Sequence, residues 1–230
     1  MTVPAVLAQA SEPLIRWDWV SDHLRYIWNL LVQHLELTFI AVGIGFAIAF
    51  VLALVALRWR PVYTPVNAVT GIMYAIPSLA LFVLLVPITG LTTLTAEIAL
   101  ISYTLQILFR SIVAGVDGVP ESVRESAAGM GYTRRRQFWR IELPLALPVI
   151  MSGLRIATVT TVGLVPIAGY LGSDQGGLGQ LIFTGLNRFF NTPLLVGAVL
   201  TVALAVALDL TIVSVQRALT PWTRRRGADA

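Results

Sequence analysis

The chain has no cysteine and no lysine, and only 12% of its 230 residues are charged. The first absence excludes a disulfide framework, a thiolate metal site and a thiol nucleophile. The second leaves the 16 arginines as the only strongly basic side chains, so their positions trace all of the basic surface. The third bears on the solvent. A soluble domain carries about 25% charged residues, and a chain that is 57% hydrophobic at this length cannot hide its apolar surface from water, whereas a bilayer accepts it. Histidine is scarce as well: His23 and His34 both lie near the start, and no His-Glu-x-x-His zinc motif is present. Ser78 has no base at matching depth, so an intramembrane protease lacks its constellation, and no catalytic or metal-ligating residue is assigned. The net charge of +4 needs no nucleic-acid partner, because the arginines follow a membrane topology.

A span needs about 20 mostly apolar residues, and five stretches qualify. They run from about Leu37 to Leu57, Val66 to Ile88 (with Pro77 inside), Thr95 to Val113, Leu145 to Ala168 (with Arg155 inside) and Leu194 to Val215 (with Asp209 inside). The reading is an all-α membrane protein of about five transmembrane helices. Twelve arginines (Arg58, Arg60, Arg110, Arg124, Arg134, Arg135, Arg136, Arg140, Arg217, Arg224, Arg225, Arg226) fall on one side, against Arg16, Arg25 and Arg188 on the other. The arginine-rich side is cytoplasmic by the positive-inside rule, which puts the N-terminus outside and the C-terminus inside.

Residues 1–36 then form an extracytoplasmic or interfacial segment, 37–217 the membrane domain and 218–230 a cytoplasmic tail. The start imitates a signal peptide near Ala8 and Ala10, but it lacks a basic region and its apolar run is too short for cleavage to be expected. Trp17 to His34 mixes Trp17, Trp19, Tyr26 and Trp28 with Asp18, Asp22, His23 and Arg25. That mixture predicts a helix lying in the outer interface.

The cytoplasmic loop at 116–144 is polar and longer than a mere connection requires. Pro120 suits a helix start and Glu121 complements the dipole in the first turn. Gly129 and Gly131 suit a left-handed helix end. Thr133 suits the cap of a second short helix, which Pro144 is expected to terminate. Ser126, Ala127 and Ala128 are small enough for the first helix to sit close to another surface.

Glu125-Ser126-Ala127, then Gly131, then Ile141-Glu142-Leu143-Pro144 resembles the EAA loop of ATP-binding-cassette importer permeases, with serine in place of the first alanine. The resemblance implies an importer-type permease fold in a bacterial cytoplasmic membrane. It also implies that the loop's helix docks on a partner ATPase, with Glu125, Ala127 and Gly131 carrying the coupling and Glu121, Ser126, Ala128, Ile141, Leu143 and Pro144 belonging to the same loop. ATP and magnesium would be bound by that partner, since this chain lacks a Walker-type glycine-lysine loop. Tyr74-Ala-Ile-Pro-Ser-Leu-Ala-Leu-Phe82 and Gly176-Gly-Leu-Gly-Gln-Leu-Ile-Phe-Thr-Gly185 resemble the glycine betaine, carnitine and choline branch, and Asp209 has a counterpart there. Val165 to Asp174 departs from that branch, which more often has small residues before the glycines, so the alternative is a permease of the same family for another small solute, such as an amino acid. The branch implies a separate extracytoplasmic solute-binding protein. Five spans are too few to enclose a path alone, so a second permease, the same chain or a paralogue, is expected.

Within the membrane, Pro77 removes a helix hydrogen bond and bends its span, and interrupted helices are where transporters place a pathway. Pro77 and Ser78 are therefore candidate path residues. Gly176, Gly177 and Gly179 are candidates for a re-entrant element at the outer gate, the alternative being a flexible loop. At about 1.5 Å per residue, Arg155 and Asp209 lie at matching depth, roughly 10–15 Å from the inner boundary, and are expected to pair, with Arg110 as the rival partner for Asp209. A proton-coupled carrier needs a chain of ionisable groups. Glu36, Glu97 and Asp209 are the candidates, but the outer position of the two glutamates suits solvation better than a relay. A non-transporting scaffold is the third reading, disfavoured by the permease resemblance.

Overall fold

The computed structural model describes residues 14–170 and 176–222. The signal-like start, the last three arginines and the end of the stretch from Val165 to Asp174 lie outside the described residues. Four helical runs are long and apolar enough to cross a membrane: Leu24–Arg58, Thr93–Asp117, Arg134–Tyr170 and Asn191–Leu219. The pair Arg60–Ala75 and Ser78–Thr89 is apolar enough to make a fifth span or a re-entrant hairpin, and is bent by 98°. Four of the expected spans are single long helices, and the stretch containing Pro77 is two shorter helices meeting at a sharp break rather than one curved span.

The helices are α1 (Trp17–Asp22), α2 (Leu24–Arg58), α3 (Tyr63–Ala75), α4 (Ser78–Thr89), α5 (Thr93–Asp117), α6 (Glu121–Gly129), α7 (Arg134–Gln137), α8 (Leu143–Tyr170), α9 (Gly179–Arg188) and α10 (Asn191–Leu219). α5 is the centre, packed against α2, α3, α4 and α8. Lipid gives no hydrophobic drive for helices to associate, so close backbone approach through small residues takes its place. Ala41, Gly45, Ala49 and Ala53 recur every fourth residue on α2 and are buried against α5. A Cβ at Gly45 would stand 1.9 Å from Thr104 Oγ1. On α8, Ala146, Ile150, Gly153 and Ala157 do the same, and a Cβ at Gly153 would stand 2.2 Å from Ser111 Oγ. The buried hydroxyls of Thr38, Ser102, Thr158 and Thr161 donate to carbonyls four residues back, which removes the cost of burying them unpaired.

Two local expectations change. Trp17 to His34 is not one interfacial helix. α1 ends at Asp22, and from Leu24 the chain runs without a break through residue 36 into the first span. Trp28 is exposed while Ile27, Leu30 and His34 are buried on the opposite face, the first two against Leu178 and Leu181. Averaged hydropathy hides that amphipathic extension. Nor does Pro144 terminate a helix. Residues Phe138–Glu142 form a π-turn that joins α7 to α8, so Pro144 sits at the start of a helix running to Tyr170. The wider turn absorbs the proline ring and its missing N–H.

α10 is the least embedded of the four long spanning helices, with only Thr192, Pro193 and Gly197 buried. It is held at one end by α9 and further along by a fork-to-fork ion pair: Arg155 Nε and Nη2 donate to Asp209 Oδ1 and Oδ2, both at 2.8 Å. Arg110 takes no part in this pair.

Two outcomes are expected. Gly45→Val overpacks the α2–α5 contact and costs about 1–3 kcal/mol, read as a lower melting temperature in detergent, whereas Gly43→Ala, where nothing lies within 4 Å of the new Cβ, leaves it unchanged. Asp209→Ala lowers the yield of folded protein in the membrane, and adding Arg155→Ala recovers part of it, because no unpaired charge remains. Strictly additive losses in the double variant would show that the pair is not coupled.

Candidate functional site

Beyond α5 the chain leaves the bundle and builds a short protruding helix. Pro120 occupies the position before α6, with φ −55° and ψ 139°, and Glu121 opens the first turn. The other end is a Schellman motif: Tyr132 N–H donates to Ala127 O at 3.1 Å and Gly131 N–H to Ala128 O at 2.9 Å. Gly131 supplies the left-handed residue, with φ +80°, whereas Gly129 is the last helical residue. Thr133 Oγ1 then accepts from Arg136 N–H at 3.4 Å and caps α7.

α6 turns Glu121, Glu125, Ser126 and Ala128 outward and buries Ala127 completely. Met130 extends the outward surface as an apolar tip, 68% exposed. Ile141, Leu143 and Pro144 are half-buried, and Leu143 packs with Phe138 on the core of α2, α5 and α8. The loop therefore divides into an outward-facing helix and an anchoring return segment.

The anchoring is electrostatic as well. Arg124 Nη2 donates to Val116 O at 2.8 Å, Nη1 donates to Glu121 at 3.2 Å, and Nε faces Glu142 Oε1 at 3.7 Å. One side chain thus ties α6 to the end of α5 and to the turn that leads into α8. Arg60 forms a bidentate pair with Asp117, at 2.8 and 2.6 Å, and fastens the α2–α3 corner to the same place. A cleft of about 1010 Å³ runs beneath, lined by Arg58, Glu125, Arg135 and Trp139 among others. Sequence reading missed Arg124, the Arg60–Asp117 pair and Met130. The excess of arginines marked the region, but nothing in the spacing of Arg60 and Asp117 announces a contact across 57 residues.

The other candidates lie elsewhere in the bundle. Pro77 and Ser78 form the break between α3 and α4, and the Ile76 carbonyl at the break accepts from the Tyr103 hydroxyl of α5. Gly176, Gly177 and Gly179 are held against α2 and α8, not against α5. Added Cβ atoms would stand 2.1 Å from Gly169, 2.7 Å from His34 and 2.4 Å from Pro166 respectively. Gly177 has φ +50° and donates its N–H to Gln33 Oε1 at 3.0 Å. The segment is therefore a packed element rather than a loose loop. Fully buried His34 was also missed: its Nε2 bonds the Val162 carbonyl at 3.0 Å, which Pro166, lacking an N–H four residues on, leaves without its helical donor. Glu36 is exposed as expected, but Glu97 is buried, 8% exposed, with no hydrogen-bond partner for either oxygen among the described residues. The inward face of α5 on which it sits, rather than its distance from the helix end, decides its solvation.

Residues 41–225 match the family described as the binding-protein-dependent transport system inner membrane component. The chain is 34% identical over 194 residues to the choline transport system permease protein OpuBB of Bacillus subtilis, covering 84% of this chain and 88% of that protein. It is also 34% identical over 208 residues to the osmoprotectant import permease protein OsmW of Salmonella typhimurium, covering 88% and 96%. Among solved structures, a chain of the MetNI methionine ABC transporter, determined in inward-facing conformations, superposes with a TM-score of 0.70 at 25% identity, over 83% of this chain and 94% of that one. A match that takes in all five apolar stretches, including the protruding helix and its glycine end, makes this chain a member of the family of inner-membrane permease components of binding-protein-dependent transport systems, a transporter subunit and not itself an enzyme.

Proposed function

We propose that this chain forms, with a second permease subunit, the path for import of a quaternary ammonium osmoprotectant such as glycine betaine, carnitine or choline, driven by ATP hydrolysis in a partner subunit. An extracytoplasmic binding protein delivers the solute. The N-terminus lies outside, and α6 faces the cytoplasm, where it seats in the ATPase. ATP and magnesium belong to that partner.

The observation that carries the reading is the build of α6. A helix of nine residues outside the membrane gains little from its own hydrogen bonds. This one is nevertheless capped at its far end by a left-handed glycine and latched at its base to two spans through Arg124. Such a helix transmits a push into α5 and α8 rather than absorbing it. The substrate class rests on the osmoprotectant and choline permeases that the chain resembles along most of its length. An ion-coupled carrier gains Glu97 as a buried group, but a relay needs several: Glu36 is exposed and Asp209 is held by Arg155.

The test is uptake of labelled quaternary ammonium compounds by the purified complex in vesicles, with ATP inside. Uptake that persists without the ATPase and collapses with the proton gradient would instead establish a carrier. Within the complex, Gly131→Val forces a β-branched residue into a left-handed backbone, at a cost of about 1–3 kcal/mol. It is expected to leave the chain in the membrane while solute moved per ATP hydrolysed falls sharply. Gly131→Asn, which tolerates that backbone, is expected to keep most of the coupling.

A further inference from the structure

The open side of α5, between α3 and α8, is polar where a lipid-facing helix would be apolar. Tyr103, Gln106, Arg110, Ala114 and Asp117 recur every three or four residues and so share one face. α4, turned by 98° from α3, lies across the outer part of that helix and buries Ala96 and Ala99 beneath Leu81 and Phe82. Past the break the face is uncovered. Arg110, Ala114 and Asp117 are exposed, and a cavity of about 640 Å³ opens over them between Tyr63 of α3 and Val149 of α8. α3 lends its own polar groups to the edge. The Thr70 hydroxyl donates to Gln106, Gln106 Nε2 donates to Asn67 at 3.5 Å, and Tyr74, itself 42% exposed, meets Tyr103 edge-on with ring centroids 5.8 Å apart.

Arg110 is the charge on this face without a hydrogen-bond or ion-pair partner among the described residues, since Asp117 is held by Arg60. An arginine within a span is costly against lipid and is placed toward a bundle interior or a water-filled cavity. Its planar fork of donors matches a carboxylate. A tyrosine face attracts a quaternary ammonium group. The exposed Tyr74 of α3 stands against the buried Tyr103, which lies seven residues or about 10 Å along α5 from Arg110, so a solute meets the two recognition elements in turn.

We propose that this face of α5 is the solute-contacting wall of the translocation path, and that Arg110 selects trimethylammonium solutes bearing a carboxylate over those that are only cationic. The inference rests on the quaternary ammonium reading above. The ammonium group passes Tyr74, which is held over the buried Tyr103 beside the Pro77 break, and the carboxylate is then taken up by Arg110, which repels a bare cation. α4 roofs the outer end of the wall, and the second permease subunit closes the remaining side.

Two measurements on the reconstituted complex decide it. The chain has no cysteine, so Gln106→Cys and Ala114→Cys in this subunit are expected to react with a charged, membrane-impermeant thiol reagent. Ile44→Cys, on the apolar outer stripe of α2, is expected to stay unreactive. Equal inertness at all three positions would turn the α5 face toward lipid and defeat the proposal. In uptake assays, R110Q is expected to lower the ratio of glycine betaine to choline transport by about tenfold or more, and R110K to retain part of it. An unchanged ratio, or equal loss of both solutes with the complex still assembled, would make Arg110 a structural or lipid-anchoring residue. A complex that carries neither solute defeats the substrate reading and the selectivity together, while the cysteine labelling still decides the wall.

Discussion

Inside a hydrocarbon slab every backbone N–H and C=O has to find a partner within the protein, and the whole architecture follows from how this chain meets that demand where its helices are broken. Pro166 deprives the Val162 carbonyl of its donor, and a histidine from the first span supplies one. At the Pro77 break the Ile76 carbonyl is taken by the hydroxyl of Tyr103. Gly177, outside any helix, gives its N–H to Gln33. Each irregularity is permitted by a side chain from a different helix, so the breaks double as cross-links between spans. The same interruptions let the chain bend a helix and fold a glycine-rich segment back into the bundle with these backbone groups paired.

Small residues set the distances at which those cross-links work. His34 reaches its carbonyl because Gly177 and Gly179 admit α2 and α8 almost to backbone contact, and α5 stays central because alanine and glycine on both neighbours keep the spacing short. At the other end charge takes over from packing. Arg124 and the Arg60–Asp117 pair gather the ends of α2 and α5, the start of α3 and the turn into α8 around the base of α6. The membrane interior is thus joined mostly by neutral contacts, the Arg155–Asp209 pair apart, and the exposed base by ionic ones.

Much of this was legible beforehand because it rests on local chemistry. Five apolar runs gave four long spanning helices and one broken pair, Thr133 marked its cap, and Gly131 marked the left-handed helix end. Depth made Arg155 a partner for Asp209 but left Arg110 as its rival, and the fold brings Arg155 to the carboxylate. Less visible were features that depend on which face of a helix is buried. The amphipathic turns before Leu37 were averaged away, the π-turn ahead of Pro144 has no composition of its own, and Glu97 was misjudged because distance from a helix end says nothing of what packs over it. The partnership of His34 with Val162 spans 128 residues. Pro166 announces the vacant carbonyl, but only the fold says who fills it.

α10 is attached to the rest of the molecule along one side, by Thr192 accepting from the Arg16 N–H, the glycine-mediated contact around Gly197, the ion pair at Asp209 and the Gln216 amide donating to the Pro148 carbonyl at 3.4 Å, with most of its surface uncovered in the protomer. The packed contact at Gly197 and the ion pair at Asp209 are twelve residues apart, about 18 Å along the axis, and with the bonds at Thr192 and Gln216 they set the tilt of a rod that buries little of itself. When the hydrocarbon layer thins or thickens, a helix that mismatches it responds by changing inclination. The least restrained helix yields first, so α10 is the part of the protomer on which the thickness of the surrounding lipid acts most directly.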